Sequence, residues 1–88
     1  MSQPVPILRV SPDYSDEARK ARYSGSVLLT IVVDVSGRTR DIRVVRSPGM
    51  GLDEKAVEAV RNWRFKPGMK DGKPVPVIAT IEVNFRLL

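Results

Sequence analysis

The sequence predicts an α+β domain: two helices packed on a three-stranded antiparallel sheet, in the order α-β-β-α-β. Three observations carry this. Residues 77–87 alternate apolar and polar side chains without a break, as a strand with one wet face does. Residues 26–34 are rich in β-branched side chains and lead through Asp34-Val35-Ser36-Gly37 into a second extended run. Between these regions, Ala56, Val60 and Trp63 recur at helical spacing within residues 53–63.

Each element has a local cause. Residues 1–11 carry Pro4 and Pro6, and Pro12 follows. Proline lacks a backbone donor and holds its predecessor extended, so this stretch reads as an extended lead-in or the end of a linker. The folded domain is expected over 12–88. The first helix is expected over 15–23, with Ser15 as N-cap, Asp16 and Glu17 at the positive end of the helix dipole and Gly25 at the exit. Tyr14, Ala18 and Ala21 form its packing face. In the strand over 26–34, Val27, Leu29, Ile31 and Val33 share one face. The other face, Leu28, Thr30 and Val32, is only half polar, which suits a central strand.

The returning strand is expected over 39–46, with Ile42 and Val44 toward the core. Val45 breaks its alternation and marks a bulge. Ser47 to Gly51 reads as a loop. In the helix over 53–63, Asp53 is expected to cap the first turn, with Leu52 and Val57 as a hydrophobic staple. Pro67-Gly68, Asp71-Gly72 and Pro74-Val75-Pro76 make residues 67–76 a turn-rich connection. In the last strand, Val77, Ala79, Ile81, Val83, Phe85 and Leu87 point inward. Ile78, Thr80, Glu82, Asn84 and Arg86 point outward.

Composition narrows the function. The 88 residues suffice for one domain with a modest core, and 42% are hydrophobic, so a folded body is expected. The absence of cysteine and histidine excludes disulfides, thiolate chemistry, a Cys/His zinc site and the commonest general base. Asp53 and Glu54 sit at a helix start, where the dipole accounts for them. Ser47 has no histidine to activate it. Gly49 and Gly51 are followed by neither a third glycine nor a P-loop lysine. Asp34 and Asp41 have no further ligands at calcium-loop spacing. These features describe a binding module rather than an enzyme, with no cofactor and no metal.

The net charge is +5. Its densest run, Arg38, Arg40, Arg43 and Arg46, is broken by Asp41 and by apolar positions, so it reads as ordinary solubilising charge. Nucleic-acid binding would call for exposed aromatics interleaved with basic residues. Trp63 instead lies on an apolar stripe, and no nucleic-acid partner is expected. No segment approaches the roughly 20 apolar residues of a membrane span. No basic start followed by an apolar segment opens the chain, so any membrane anchor is expected upstream of it.

The order of landmarks along residues 12–88 resembles the TonB C-terminal domain family. Pro12-Asp13-Tyr14 precedes a helix with Ala18 and Arg22. Gly25 opens the run Val27, Leu29, Ile31 and Val33, and Gly37 makes the turn. Ile42, Val44, Ser47 and Gly49 follow. Leu52-Asp53, Ala56-Val57, Ala59-Val60, Trp63-Arg64-Phe65 and Pro67 form the most specific block. Gly72 and the alternating last strand close the domain. Ser15 departs from the family, which often has proline there, but serine also starts helices well.

The resemblance implies a periplasmic domain of an inner-membrane-anchored energy transducer that works with ExbB and ExbD. It implies binding of an outer-membrane TonB-dependent transporter, whose TonB box adds as a strand beside the last strand. The site residues implied are Val77, Ile78, Ala79, Thr80, Ile81, Glu82, Val83 and Asn84, with Ser11, Pro12, Asp13 and Tyr14 before the first helix. It further implies homodimers formed by strand exchange. Other uses of the same fold are a TolA-like domain for another envelope protein and a domain appended to a membrane sensor.

Overall fold

A computed structural model describes residues 2–87. Met1 of the expected lead-in and Leu88 at the expected domain end lie outside the described residues. The elements are β1 (Val5–Leu8), α1 (Asp16–Lys20), β2 (Gly25–Val33), β3 (Thr39–Arg46), α2 (Leu52–Arg61), β4 (Arg64–Lys66), β5 (Gly68–Lys70), β6 (Lys73–Val75) and β7 (Val77–Phe85).

The central sheet has the order β3-β2-β7, and both pairings are antiparallel. This is the expected α+β core. Val27, Leu29, Ile31 and Val33 of β2 are fully buried, and Ile81, Val83 and Phe85 of β7 join them. Leu52, Ala56, Ala59 and Val60 of α2, with Trp63 and Phe65 beyond it, close the core from the helix side. Each large apolar side chain so buried contributes roughly 1.5–3 kcal/mol. The other face of β2 is half-buried, as befits the central strand.

Local chemistry differs from expectation at both helices. Ser15 does cap α1: its hydroxyl accepts from the Ala18 N–H at 3.2 Å. The same hydroxyl donates to the Met50 carbonyl at 2.6 Å and ties α1 to the loop before α2. The helix is shorter than expected and exits through Arg22, not Gly25. Arg22 takes φ 52°, and the Tyr23 N–H reaches back to the Ala18 carbonyl at 2.9 Å. At α2 the expected Asp53 cap is not formed. Gly51 holds the N-cap position at φ 72° with no side-chain cap bond, which leaves Asp53 and Glu54 inside the first turn. Leu52 is therefore the first helical residue and is buried in the core, not half of a staple.

Strand β3 carries the bulge expected near Val45: Leu28 pairs Arg46, and the next pair is Leu29 with Val44. A second shift separates Thr30↔Arg43 from Val32↔Arg40, at Asp41, whose φ is 49°. Ile42 packs against the core as expected, but Val44 remains 41% exposed. Val44 sits on the edge strand in a shallow groove beside Asp53, Val57 and Arg61 of α2. The helix packs on β3 as well as β2, yet it leaves Val44 partly open in this groove.

Four short strands were not expected. Residues 5–8 of the lead-in pair antiparallel with β4. Within 67–76, β5 and β6 form a hairpin turned at Asp71-Gly72.

Candidate strand-binding edge

The β2–β7 register runs from Gly25↔Phe85 to Val33↔Val77 without a shift. The Asp34 N–H donates to the Arg38 carbonyl at 2.9 Å, so position 34 faces the β3 side. Backbone groups alternate sides along a regular antiparallel strand, so the odd-numbered residues of β2 bond toward β7. Their partners are Val77, Ala79, Ile81, Val83 and Phe85. Ile78, Thr80, Glu82 and Asn84 therefore direct their N–H and C=O groups to the opposite side. No strand of the central sheet lies there among the described residues.

The β3 edge is different. Its two bulges interrupt the ladder, and bulges blunt an edge against further pairing. Of the two edges, only β7 offers an unbroken template.

A groove of about 280 Å³ runs beside this template. It is lined by Ala79, Thr80, Ile81 and Glu82 of β7, by Trp63 and Phe65, and by Pro4, Pro6 and Arg9 of the N-terminal segment. Pro4 and Pro6 bring no N–H groups. The Trp63 indole N–H donates to the Val10 carbonyl at 3.0 Å, and the Arg9 guanidinium lies 5.7 Å from the centre of the Trp63 ring. These contacts hold the N-terminal segment in place as the far wall.

The pre-helix residues divide between two sites. Tyr14 packs edge-on against Phe85 at 5.6 Å between ring centres and donates its hydroxyl proton to the Tyr23 carbonyl at 2.5 Å. It thus stands at the C-terminal end of β7. Ser11, Pro12 and Asp13 line a cleft with Lys55, Glu58, Ala59 and Asn62, against α2 and away from the β7 groove. The groove residues Pro4, Pro6, Arg9, Trp63 and Phe65 were not among the expected site residues. Their sequence signal is weak, because the pairing of β1 with β4 that brings them together spans nearly 60 residues.

The β2–β3 turn fixes the far end of the edge. Asp34 accepts from the Ser36 hydroxyl (2.7 Å), the Ser36 N–H (2.9 Å), the Arg38 N–H (2.9 Å) and the Arg40 guanidinium (2.6 Å). The Ser36 hydroxyl, then Arg40 and the backbone N–H groups, hold its carboxyl well below the usual carboxylate range. The Gly37 carbonyl accepts from the Phe65 N–H at 2.9 Å and so docks the turn on β4. Among the described residues, no cluster of His, Cys, Asp or Glu could hold a metal ion, and no helix is long and apolar enough to cross a membrane.

Fold and geometry together define a small α+β domain built around one open, regular sheet edge. Residues 10–87 match the family described as Gram-negative bacterial TonB protein C-terminal. The chain is 35% identical over 80 residues to the TonB protein of Vibrio cholerae, covering 90% of this chain and 33% of that protein. It is 33% identical over 78 residues to the tonB2 protein of Pseudomonas aeruginosa, covering 88% and 29%. The solution structure of the Pseudomonas aeruginosa TonB C-terminal domain superimposes with a TM-score of 0.78 at 30% identity, covering 99% of this chain and 89% of that one. The tonB2 protein of Vibrio anguillarum gives 0.69 at 31% identity, covering 100% and 85%. The chain belongs to the TonB C-terminal domain family, a family of non-enzymatic energy-transducing proteins. It spans about a third of the length of the full-length relatives it matches.

Proposed function

We propose that this domain works in the periplasm as the receptor-gripping end of an inner-membrane-anchored transducer. The TonB box of an outer-membrane TonB-dependent transporter adds as a strand along residues 77–84 of β7. Through ExbB and ExbD, work derived from the proton-motive force then reaches the transporter. The observation that carries this reading is the contrast between the two sheet edges: β7 is regular over its full length, whereas β3 is bulged twice.

Strand addition draws its affinity from main-chain bonds and its specificity from the alternate side chains. The donors and acceptors are those of Ile78, Thr80, Glu82 and Asn84. One set of incoming side chains meets Trp63 and Phe65 in the groove, and the other set stays wet beside Thr80 and Glu82. Several bonds loaded side by side share a pull along the strand. Tyr14 steadies the end of that strand through Phe85, while Ser11, Pro12 and Asp13 offer a flanking contact. With no partner bound, the same edge accepts a second copy by strand exchange.

Substitution by proline tests the edge directly. Thr80→Pro or Glu82→Pro removes an outward N–H while leaving the β2 ladder intact. Each should weaken binding of a TonB-box peptide about three- to tenfold, the net worth of one hydrogen bond. Thr80→Ala and Glu82→Ala should change it far less. Equal losses for proline and alanine would assign binding to side chains and overturn strand addition.

A further inference from the structure

We propose that the open face of the central sheet is a second binding surface, for an extended polypeptide segment with acidic residues at every second position. The inference does not rest on occupancy of the β7 edge.

The key is what the two bulges do to β3. In an unbroken strand, residues 40, 43 and 46 would fall alternately on opposite faces. Here Val32 pairs Arg40, Thr30 pairs Arg43 and Leu28 pairs Arg46. Paired residues share a face, and Leu28, Thr30 and Val32 all lie on the face of β2 opposite the buried Val27, Leu29, Ile31 and Val33. Each bulge absorbs one extra residue and resets the alternation. Arg40, Arg43 and Arg46 thus stand in one column, all exposed. The run that reads in the sequence as scattered solubilising charge is a single row in space.

The row is charged and largely unanswered. Among the described residues the only ion pair is Arg40 with Asp34, so Arg43 and Arg46 have no acidic partner there. Beside the row runs the half-buried strip of Leu28, Thr30 and Val32, and beyond it Ile78, Thr80 and Glu82 of β7. Glu82 is the acidic residue of the β7 row and is separated from Arg46 by the whole width of β2.

Charge complementarity and spacing name the occupant. Successive same-face positions of a strand are about 6.8 Å apart, two residues at roughly 3.4 Å each. The arginine row has this repeat, and so does an extended segment with carboxylates at alternate positions. Laid along β3, such a segment sets one carboxylate against each guanidinium, where the planar fork favours paired hydrogen bonds. The bulged edge keeps the segment on the face, because it cannot add to the ladder.

The probe is a capped peptide of four Glu-Thr repeats, titrated into the intact domain at low ionic strength and followed by the backbone amides and arginine Nε–H signals. Shifts are expected at Arg43, Arg46, Thr30 and Leu28. The double variant Arg43→Gln/Arg46→Gln should bind about tenfold more weakly. A control of equal net charge, Arg61→Gln/Lys73→Gln, should bind like the wild type. Equal losses in both double variants would reduce the effect to net charge and overturn the proposal. Absence of peptide binding at millimolar concentration would overturn it too. So would stronger arginine-dependent binding to phosphatidylglycerol vesicles than to the peptide, which would make the face a membrane-surface contact.

Discussion

The Trp63 indole N–H donates to the Val10 carbonyl across 53 residues of sequence, at 3.0 Å. This one bond joins the core behind α2 to the segment that walls the β7 groove. Trp63→Ala should destabilise the domain by roughly 3–5 kcal/mol, as for other large buried aromatics. Trp63→Phe keeps most of the apolar contact but leaves the Val10 carbonyl without its donor, and should cost roughly 1–2 kcal/mol. Urea denaturation reads both. An unchanged midpoint for the alanine variant would mean that Trp63 does not pack in the core.

Gly37 has no substitute. Its φ is 83°, and a Cβ there would sit 2.0 Å from the Phe65 carbonyl oxygen. Gly37→Ala therefore meets both left-handed strain, about 1–2 kcal/mol, and a backbone collision that pushes the turn off β4. Gly72 also has positive φ, at 75°, but open space around it. Gly72→Ala should show the strain alone and a smaller drop in melting temperature. Equal drops would remove the Gly37–Phe65 contact from the explanation.

Asp34 makes stability depend on acid in a defined sense. Its folded-state pKa lies below the ordinary value, so its contribution is full above the unfolded carboxylate value near 3.9 and is lost as pH falls below it. Asp34→Asn should lower the melting temperature at pH 7. The gap from wild type should narrow below about pH 4. A gap independent of pH would show that the carboxylate charge does nothing for the turn.

The sequence shows the central sheet well because its signals are local. Period-two alternation marks β7, and the apolar second face of β2 marks a central strand. The irregular alternation at Val45 marks a bulge. The bulge at Asp41 escapes, because a lone aspartate between arginines looks like any exposed position. With it escapes the alignment of Arg40, Arg43 and Arg46. Asp53 is misjudged as a cap because Gly51 already turns the chain at positive φ one residue before the helix. The groove is half legible. Its β7 side follows from alternation. Its other side depends on Val5–Leu8 finding Arg64–Lys66, and three- or four-residue strands carry too little pattern to reveal a partner so distant in sequence.

Ile81→Pro gives an internal control on edge direction. Ile81 lies opposite Leu29 and bonds inward, so proline there removes a ladder bond within the sheet. It should unfold or strongly destabilise the domain, seen by circular dichroism, whereas Thr80→Pro retains the fold. The reverse result would put the outward N–H groups on the odd-numbered residues.

The most direct test of the central claim is a titration of the labelled domain with a TonB-box peptide, followed by backbone amide shifts. The largest shifts are expected on Ile78, Thr80, Glu82 and Asn84, with smaller ones at Trp63 and Phe65 in the groove. Thr39–Arg46 and Leu52–Arg61 should stay still. Large shifts on α2 or β3 with unmoved amides at 77–84 would contradict strand addition at β7.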